Sequence, residues 1–127
     1  ITVRSNGSQG LVGRFMFIDQ EPKDRTSFSG FSIRVRSDTK IVESEFLYYL
    51  LSSSTIRKQL TTGSNGSKIK SLNQTLLSKI EISIPSMREQ KKIITKMNDI
   101  ENKISEAKDI IENALNKKKS ILENELI

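Results

Sequence analysis

The sequence reads Ile80-Glu81-Ile82-Ser83-Ile84-Pro85-Ser86-Met87-Arg88-Glu89-Gln90 where its hydrophobic pattern changes from the period of a strand to that of a helix. Isoleucine alternates with polar residues up to Ile84, which predicts a β-strand. Pro85 ends that pattern because proline has no N–H to give a ladder. Ser86 and Glu89 have the spacing of a capping box, in which each side chain bonds the other residue's backbone N–H. The stretch therefore predicts a strand, a break and a helix that begins near Met87.

The helix after this junction is predicted to be unusually long. No glycine or proline follows Pro85, so one helix from about Met87 to Leu126 would extend roughly 60 Å. Packing of this helix along its own domain is one interpretation, but one small domain cannot cover such a length. We therefore expect a helical partner, which is either a second copy in a homodimer or another helix of a larger subunit.

A stripe of apolar residues on this helix has the four-three spacing of a coiled-coil seam. We call these residues the seam and predict that they carry dimerisation: Ile93, Met97, Ile100, Ile104, Ala107, Ile111 and Ala114. The strict heptad fails after Ala114. Leu115, Leu122 and Leu126 continue the stripe in another phase, which indicates a stutter or a change of packing partner.

The composition restricts the chemistry that the chain can perform. Its 127 residues include no Cys and no His. The lack of Cys excludes disulfide scaffolds and thiolate metal sites. The lack of His removes the usual general base and the commonest metal ligand. We find no metal-binding or cofactor motif and predict no catalytic residues, no metal and no cofactor. No apolar run is long enough to span a membrane, and no signal peptide is visible.

The positive charge is concentrated before the long helix. The net charge is +6, and residues 1–87 hold twelve basic and seven acidic side chains, against nine and eight in residues 88–127. No acid lies between Glu45 and Glu81. This distribution favours a polyanionic partner for the first part of the chain. Because the chain begins Ile-Thr-Val-Arg, within a strand-like pattern and without Met, we expect a fragment that lacks its N-terminal part.

Residues 1–85 are predicted to form a small α+β domain. The alternation of apolar and polar residues predicts strands at Ile1–Arg4, Leu11–Ile18 and Phe28–Val35, the first two as a hairpin. A helix is expected from Glu45 to about Ser52, with Ser44 as a possible cap. A second helical piece would turn Ile56 and Leu60 inward and Arg57 and Lys58 outward, and Ser71 or Asn73 would cap a short third helix.

The candidate DNA-binding residues lie in a loop without acids, on one strand face and in the helical piece before the loop. Gly63-Ser64-Asn65-Gly66-Ser67-Lys68 combines glycines, which allow a close approach, with hydroxyls, an amide and lysine, which suits a phosphate backbone. A flexible loop and a solvated sheet face are the plain alternatives. The candidates are Arg4, Asn6, Arg34, Arg36, Arg57, Lys58, Ser64, Asn65, Ser67, Lys68 and Lys70.

One short segment has residues that a nuclease would use. Glu21-Pro22-Lys23, with Asp19 beside it, is similar to the acid-x-lysine element of some nucleases. A second acidic cluster is not present in a convincing strand context. A surface turn containing proline therefore explains these residues better.

Five segments of the chain carry a resemblance to a known family: Thr26 to Arg34, Phe46 to Ser53, Gly63-Ser64, Lys70 to Leu77 and the junction that leads into the long helix. Together they resemble the specificity subunits of Type I restriction-modification systems. The resemblance covers essentially the whole chain, and its most specific part is Glu89-Gln90 followed by the long helix. Ser83 and Ser86 stand where that family commonly has proline, and Met87 where it usually has leucine.

The resemblance implies a cytoplasmic, non-catalytic DNA-specificity module. It implies a partial target recognition domain over residues 1–85, which reads half of a split double-stranded DNA sequence, and a conserved spacer helix over residues 86–127. Such helices pair as an antiparallel coiled coil, and methyltransferase and restriction subunits dock on the assembly. Two other interpretations are open: a structural coiled-coil interaction domain, and the recognition region of a single-chain restriction-methylation enzyme.

Overall fold

The protein is a mixed α+β chain in a computed structural model that describes residues 1–7, 11–62 and 71–126. The chain divides into two compact units, Ile1–Lys91 and Lys92–Ile127. The elements in chain order are β1 (Thr2–Arg4), β2 (Phe15–Met16), β3 (Ser32–Arg34), α1 (Ser44–Leu51), α2 (Ser54–Thr62), α3 (Gln74–Leu77) and α4 (Met87–Glu125).

The three strands form one antiparallel sheet in the order β2-β1-β3. Val3 is opposite Phe15 on one side and Ile33 on the other, and it is completely buried. The predicted hairpin of the first two strands is confirmed, but β2 is much shorter than predicted. Gly13 adopts a positive φ of 75° in the turn that precedes β2. Because the chain is still turning at Gly13, strand pairing begins only at Phe15.

The core of the first unit combines the sheet with α1 and α2. Ile56 and Leu60 are buried, as predicted. The helix α1 begins at Ser44, so Ser44 is its first residue rather than its cap. The Ser44 hydroxyl instead forms a hydrogen bond with the hydroxyl of Ser37. The buried apolar residues are Val3, Val12, Val42, Phe46, Leu47, Leu51, Ile56, Leu60 and Leu72.

The prediction of a strand from Ile80 to Ile84 is wrong. These residues have no strand structure, and Ile82 and Ile84 are exposed. Both backbone groups of Glu81 bond to one side chain: Gln59 Nε2 donates to the Glu81 carbonyl at 2.9 Å, and the Glu81 N–H donates to Gln59 Oε1 at 3.0 Å. An amide side chain thus occupies the place that a neighbouring strand would need, so alternation alone did not produce a strand.

The long helix α4 begins at Met87, and the predicted capping box is confirmed. The Glu89 N–H donates to Ser86 Oγ at 3.4 Å, and the Ser86 N–H donates to Glu89 Oε2 at 3.2 Å. These bonds satisfy N–H groups that have no partner inside the helix. The helix ends at Glu125, close to the predicted end. No helix in the described residues has the length and apolar character needed to cross a membrane.

Gln90, in the first turn of α4, is a polar residue with no exposed surface. Its Oε1 accepts from the Glu43 N–H at 2.8 Å. Its Nε2 donates to the carbonyls of Ile41 at 3.1 Å and Pro85 at 2.9 Å. The amide therefore joins the start of α4 to the segment that leads into α1, with its oxygen and both N–H groups satisfied.

Candidate nucleic-acid interface

Three candidate arginines lie on one face of the sheet, which we call the basic face: Arg4, Arg34 and Arg36. The register pairs Arg34 with Thr2 and Arg4 with Ser32. Because paired residues and residues two apart point to the same side of a sheet, Arg4 and Arg34 share a face, and Arg36 follows in the same alternation. In the described part of the chain no carboxylate forms an ion pair with any of the three. The face is therefore positively charged and open to an anion.

The end of β1 holds Arg4 and Asn6 beside Ser71. Arg4 Nε donates to the Asn6 carbonyl at 2.9 Å, and Asn6 Oδ1 accepts from the Gly7 N–H at 2.8 Å. Asn6 and Ser71 form an isolated antiparallel bridge. A Cβ on Gly7 would stand 3.3 Å from Arg4 Nε, and Gly7 has a φ of 133°. Glycine at this position thus allows Arg4 to lie close to the turn.

The two candidates in α2 have different environments. Arg57 was predicted to point outward, but it is only partly exposed, and its Nη1 donates to the Val12 carbonyl at 2.7 Å. This bond joins α2 to the turn before β2. The prediction that Arg57 points outward is therefore wrong. Lys58 is exposed, as predicted. A DNA-binding role for either residue stays a prediction.

The remaining candidates fall outside the described residues. They belong to the loop without acids and to the residues that follow it: Ser64, Asn65, Ser67, Lys68 and Lys70. The description resumes at Ser71, which bridges to Asn6. Of the predicted DNA-binding residues, only Asn6 takes part in this bridge.

Phe28 is a residue of this interface that the sequence analysis missed. The guanidinium carbon of Arg34 lies over the Phe28 ring, 5.4 Å from its centroid. A groove of about 400 Å³ opens beside the pair, and its walls include Thr2, Pro22 and Arg36. Phe28 lies in the loop before β3, so the strand predicted from Phe28 to Val35 begins only at Ser32. The two-residue alternation of that predicted strand would have placed Phe28 on the same face as Arg34, and this is the signal that could have found the contact.

A second cavity of about 480 Å³ lies where α1 and α2 meet the turn before β2. Arg14, Tyr48 and Arg57 are among its lining residues. Tyr48 also stacks on Phe17, with ring centroids 5.6 Å apart. Within the described ranges, no three His, Cys, Asp or Glu side chains come together to hold a metal ion. This cavity has a mixed polar and apolar wall and no arrangement that indicates a reaction.

Most of the seam on α4 is exposed in the second unit. The exposed fractions of Ile93, Ile100, Ile104 and Ile111 are 39%, 51%, 42% and 60%. Met97 is partly covered, and Ala107 and Ala114 are exposed. Their role in dimerisation stays a prediction. The apolar surface itself is present where the spacing predicted it.

Comparison with known proteins points to one family. The model of the Type I restriction modification DNA specificity domain matches residues 1–117. The Type I restriction enzyme StySPI specificity subunit of Salmonella potsdam is 29% identical over 107 residues, which are 79% of this chain and 22% of that subunit. The chain thus spans about a fifth of the length of that relative. No solved structure matches the chain. Since the family match includes both the basic face and most of α4, this chain belongs to the family of Type I restriction-modification DNA specificity domains.

Proposed function

We propose that this chain reads part of a duplex DNA target for a Type I restriction-modification complex and performs no catalysis itself. The observation that carries the proposal is the family match over residues 1–117, together with an unpaired basic face inside the matched region. Arginine can contact phosphates as a cation and guanine edges through two hydrogen bonds. The basic face thus offers both kinds of contact to a duplex.

The two parts of the chain have different roles in this proposal. Residues 1–85 form the partial recognition domain, which contacts half of a split target. Residues 86–127 form the spacer helix, which pairs through the seam either with a second copy or with another helix of a larger subunit. The exposed isoleucines of α4 support this division because an isolated helix gains nothing from a continuous apolar stripe.

The partners follow from the same proposal. Double-stranded DNA binds the first unit, and methyltransferase and restriction subunits in the cytoplasm supply the chemistry that the chain itself does not perform. The relative in Salmonella potsdam is a specificity subunit of a restriction enzyme, which supports an assembly of this kind.

Selection from a randomised duplex pool tests the function. The specificity subunit that carries this domain is assembled with its methyltransferase subunits, and bound duplexes are separated and sequenced. We expect enrichment of one short motif protected in a footprint. Enrichment of no motif, with helix pairing intact, would instead identify a structural interaction module. Magnesium-dependent cleavage that is lost in Glu21→Ala or Lys23→Ala would contradict the non-catalytic role.

A further inference from the structure

We propose that Arg34 is a base-reading residue that recognises a guanine in the major groove, and that Arg36 beside it contacts the phosphate backbone. The proposal deepens the DNA-binding function above and rests on it. It assigns different tasks to two arginines that share one sheet face and lie only two residues apart.

The first observation is the position of Arg34 on an edge strand. The strand β3 pairs only with β1 in the described sheet, so one side of β3 has no neighbouring strand there. Arg34 is exposed, and its partner Thr2 is buried beside it. An exposed arginine on a sheet edge can reach into the major groove, which is wide enough to admit a two-stranded ribbon.

The second observation is the ring beneath the guanidinium. Arg34 lies over Phe28 with 5.4 Å between guanidinium carbon and ring centroid. The contact restricts the rotamers of a side chain that otherwise has about as much conformational freedom as lysine. A bidentate contact to guanine O6 and N7 needs an oriented guanidinium. A phosphate can also be contacted by a cation of no fixed orientation, as lysine does. The ring therefore favours base reading at Arg34.

The third observation is the contrast with Arg36. Within the described residues, Arg36 has no ring contact and no carboxylate partner, although it lines the same groove as Arg34 and Phe28. A cation that no ring or carboxylate holds suits the phosphate backbone, which offers charge but carries no sequence information. The groove leaves both guanidinium groups accessible to one duplex.

The test compares Arg34→Lys with the matched control Arg36→Lys in the specificity subunit assembled with its methyltransferase subunits. Both changes keep the charge and remove the planar fork of donors. Affinities are measured at one salt concentration for the selected duplex and for duplexes with each guanine replaced in turn. We expect the wild type to discriminate at each contacted guanine by about 5- to 150-fold. Arg34→Lys should lose that discrimination at one guanine, while Arg36→Lys should keep the whole pattern.

A third variant tests the ring separately. Phe28→Leu keeps an apolar side chain but removes the aromatic face, so it should weaken discrimination at the same guanine as Arg34→Lys and at no other. Each change is also made in this chain alone, which has two tyrosines and no Trp, so that the near-ultraviolet circular dichroism of Tyr48 and Tyr49 checks that the variant is folded.

Two outcomes would contradict the proposal, and they can be told apart. A wild-type complex with no preference among duplexes would overturn the DNA-specificity function together with this assignment. A wild type with a clear motif, and an Arg34→Lys variant that keeps every guanine preference, would overturn the role of Arg34 alone. Loss of discrimination in Arg36→Lys but not in Arg34→Lys would reverse the assignment.

Discussion

Gln90 shows at the residue scale how one side chain can fix a junction. The chain reaches α4 through a segment without strand structure, and the start of the helix must be held by something other than a sheet. The fully buried amide of Gln90 bonds to Ile41, Glu43 and Pro85, which lie before α1 and before α4. Glutamine suits the position because it supplies one acceptor and two donors on the same planar group.

We predict that Gln90→Ala lowers the free energy of unfolding of the first unit by about 2–4 kcal/mol. The change leaves the Glu43 N–H and two carbonyls without their partner in a part-buried place. Such groups cost about 1–3 kcal/mol each unless water replaces the bond. Denaturant unfolding followed by the near-ultraviolet signal of Tyr48 and Tyr49 measures the effect, since both tyrosines lie in α1 and the chain has no Trp.

Two further variants make this prediction specific. Gln90→Glu keeps the shape and the acceptor but cannot donate to Ile41 or Pro85, so it should destabilise the first unit by a similar amount. Gln59→Ala is the matched control, because Gln59 also forms two backbone hydrogen bonds but is half-exposed, where water can replace them. If Gln59→Ala and Gln90→Ala lower the free energy of unfolding equally, the burial of the Gln90 amide is unimportant for stability.

The helix α4 is the element whose own sequence explains it best. Its capping box defines the start, and no residue before Glu125 breaks it. At 3.6 residues per turn, Ile111 lies at the same angle as Ile93, and Leu115 and Leu122 lie within about 40° of that line. On a straight α-helix, the apolar stripe thus continues beyond the point where the strict heptad fails. Lys118 is the polar residue that interrupts this stripe.

We predict that replacing Ile100 and Ile104 together with Asp separates the paired helices while the first unit stays folded. The seam would then bury two unpaired carboxylates, which costs several kcal/mol in a dry interface, on the order of a thousandfold in dissociation constant. Sedimentation of the chain at about 50 µM, a concentration suited to a weak interface, should show dimers for the wild type and monomers for the variant.

The control adds the same charge on the other side of the helix. Asn102→Asp with Asn113→Asp places two carboxylates roughly opposite the seam, at positions that the helical period turns away from Ile100 and Ile104. This variant should sediment as the wild type does. A wild-type chain that is monomeric at this concentration would argue against pairing with a second copy and leave another helix of a larger subunit as the partner.

The charge of the whole molecule is divided between its two parts. Residues 1–87 carry a net charge of +5, and residues 88–127 carry +1. Lys68 and Lys70 contribute to this excess from a stretch without acids. A polyanion that approaches the molecule should therefore meet the first part of the chain, and its affinity should depend on salt through the release of counterions.

We predict that replacing Lys68 and Lys70 together with Ala lowers the slope of log affinity against log salt by about 2. Each neutralised phosphate contributes roughly 0.9 to that slope. The loss of affinity should be similar for all duplexes, since phosphate contacts do not read sequence. Titrations of the selected duplex and an unrelated duplex at four salt concentrations measure both effects.

A matched pair of lysines on α4 controls for net charge. Lys103→Ala with Lys117→Ala removes the same charge from the nearly neutral helix and should leave the slope unchanged. If the two double variants reduce the slope equally, the effect comes from overall charge rather than from a contact near Lys68 and Lys70. An unchanged slope in the Lys68 and Lys70 variant would remove these lysines from the interface.

The sequence alone was sufficient to predict the features that depend on neighbours a few residues apart. The start and length of α4 and the inward face of α2 were predicted. Of the two caps predicted for α3, Ser71 and Asn73, the structure has Asn73, whose Oδ1 accepts from the Leu76 N–H at 2.9 Å. Helical periods and caps involve contacts within about four residues, so the chain specifies them locally. The division of charge between the two parts of the chain likewise follows from the order of the residues alone.

The tertiary structure decided the features that need a distant partner. A strand exists only where another strand supplies its hydrogen bonds, so β3 formed beside β1, whereas Ile80 to Ile84 met the Gln59 side chain and stayed without strand structure. The inward turn of Arg57 and the burial of Gln90 likewise join segments that no short period connects. A hydrogen bond between distant residues depends on where the chain returns, and that position is set by the packing of the whole first unit.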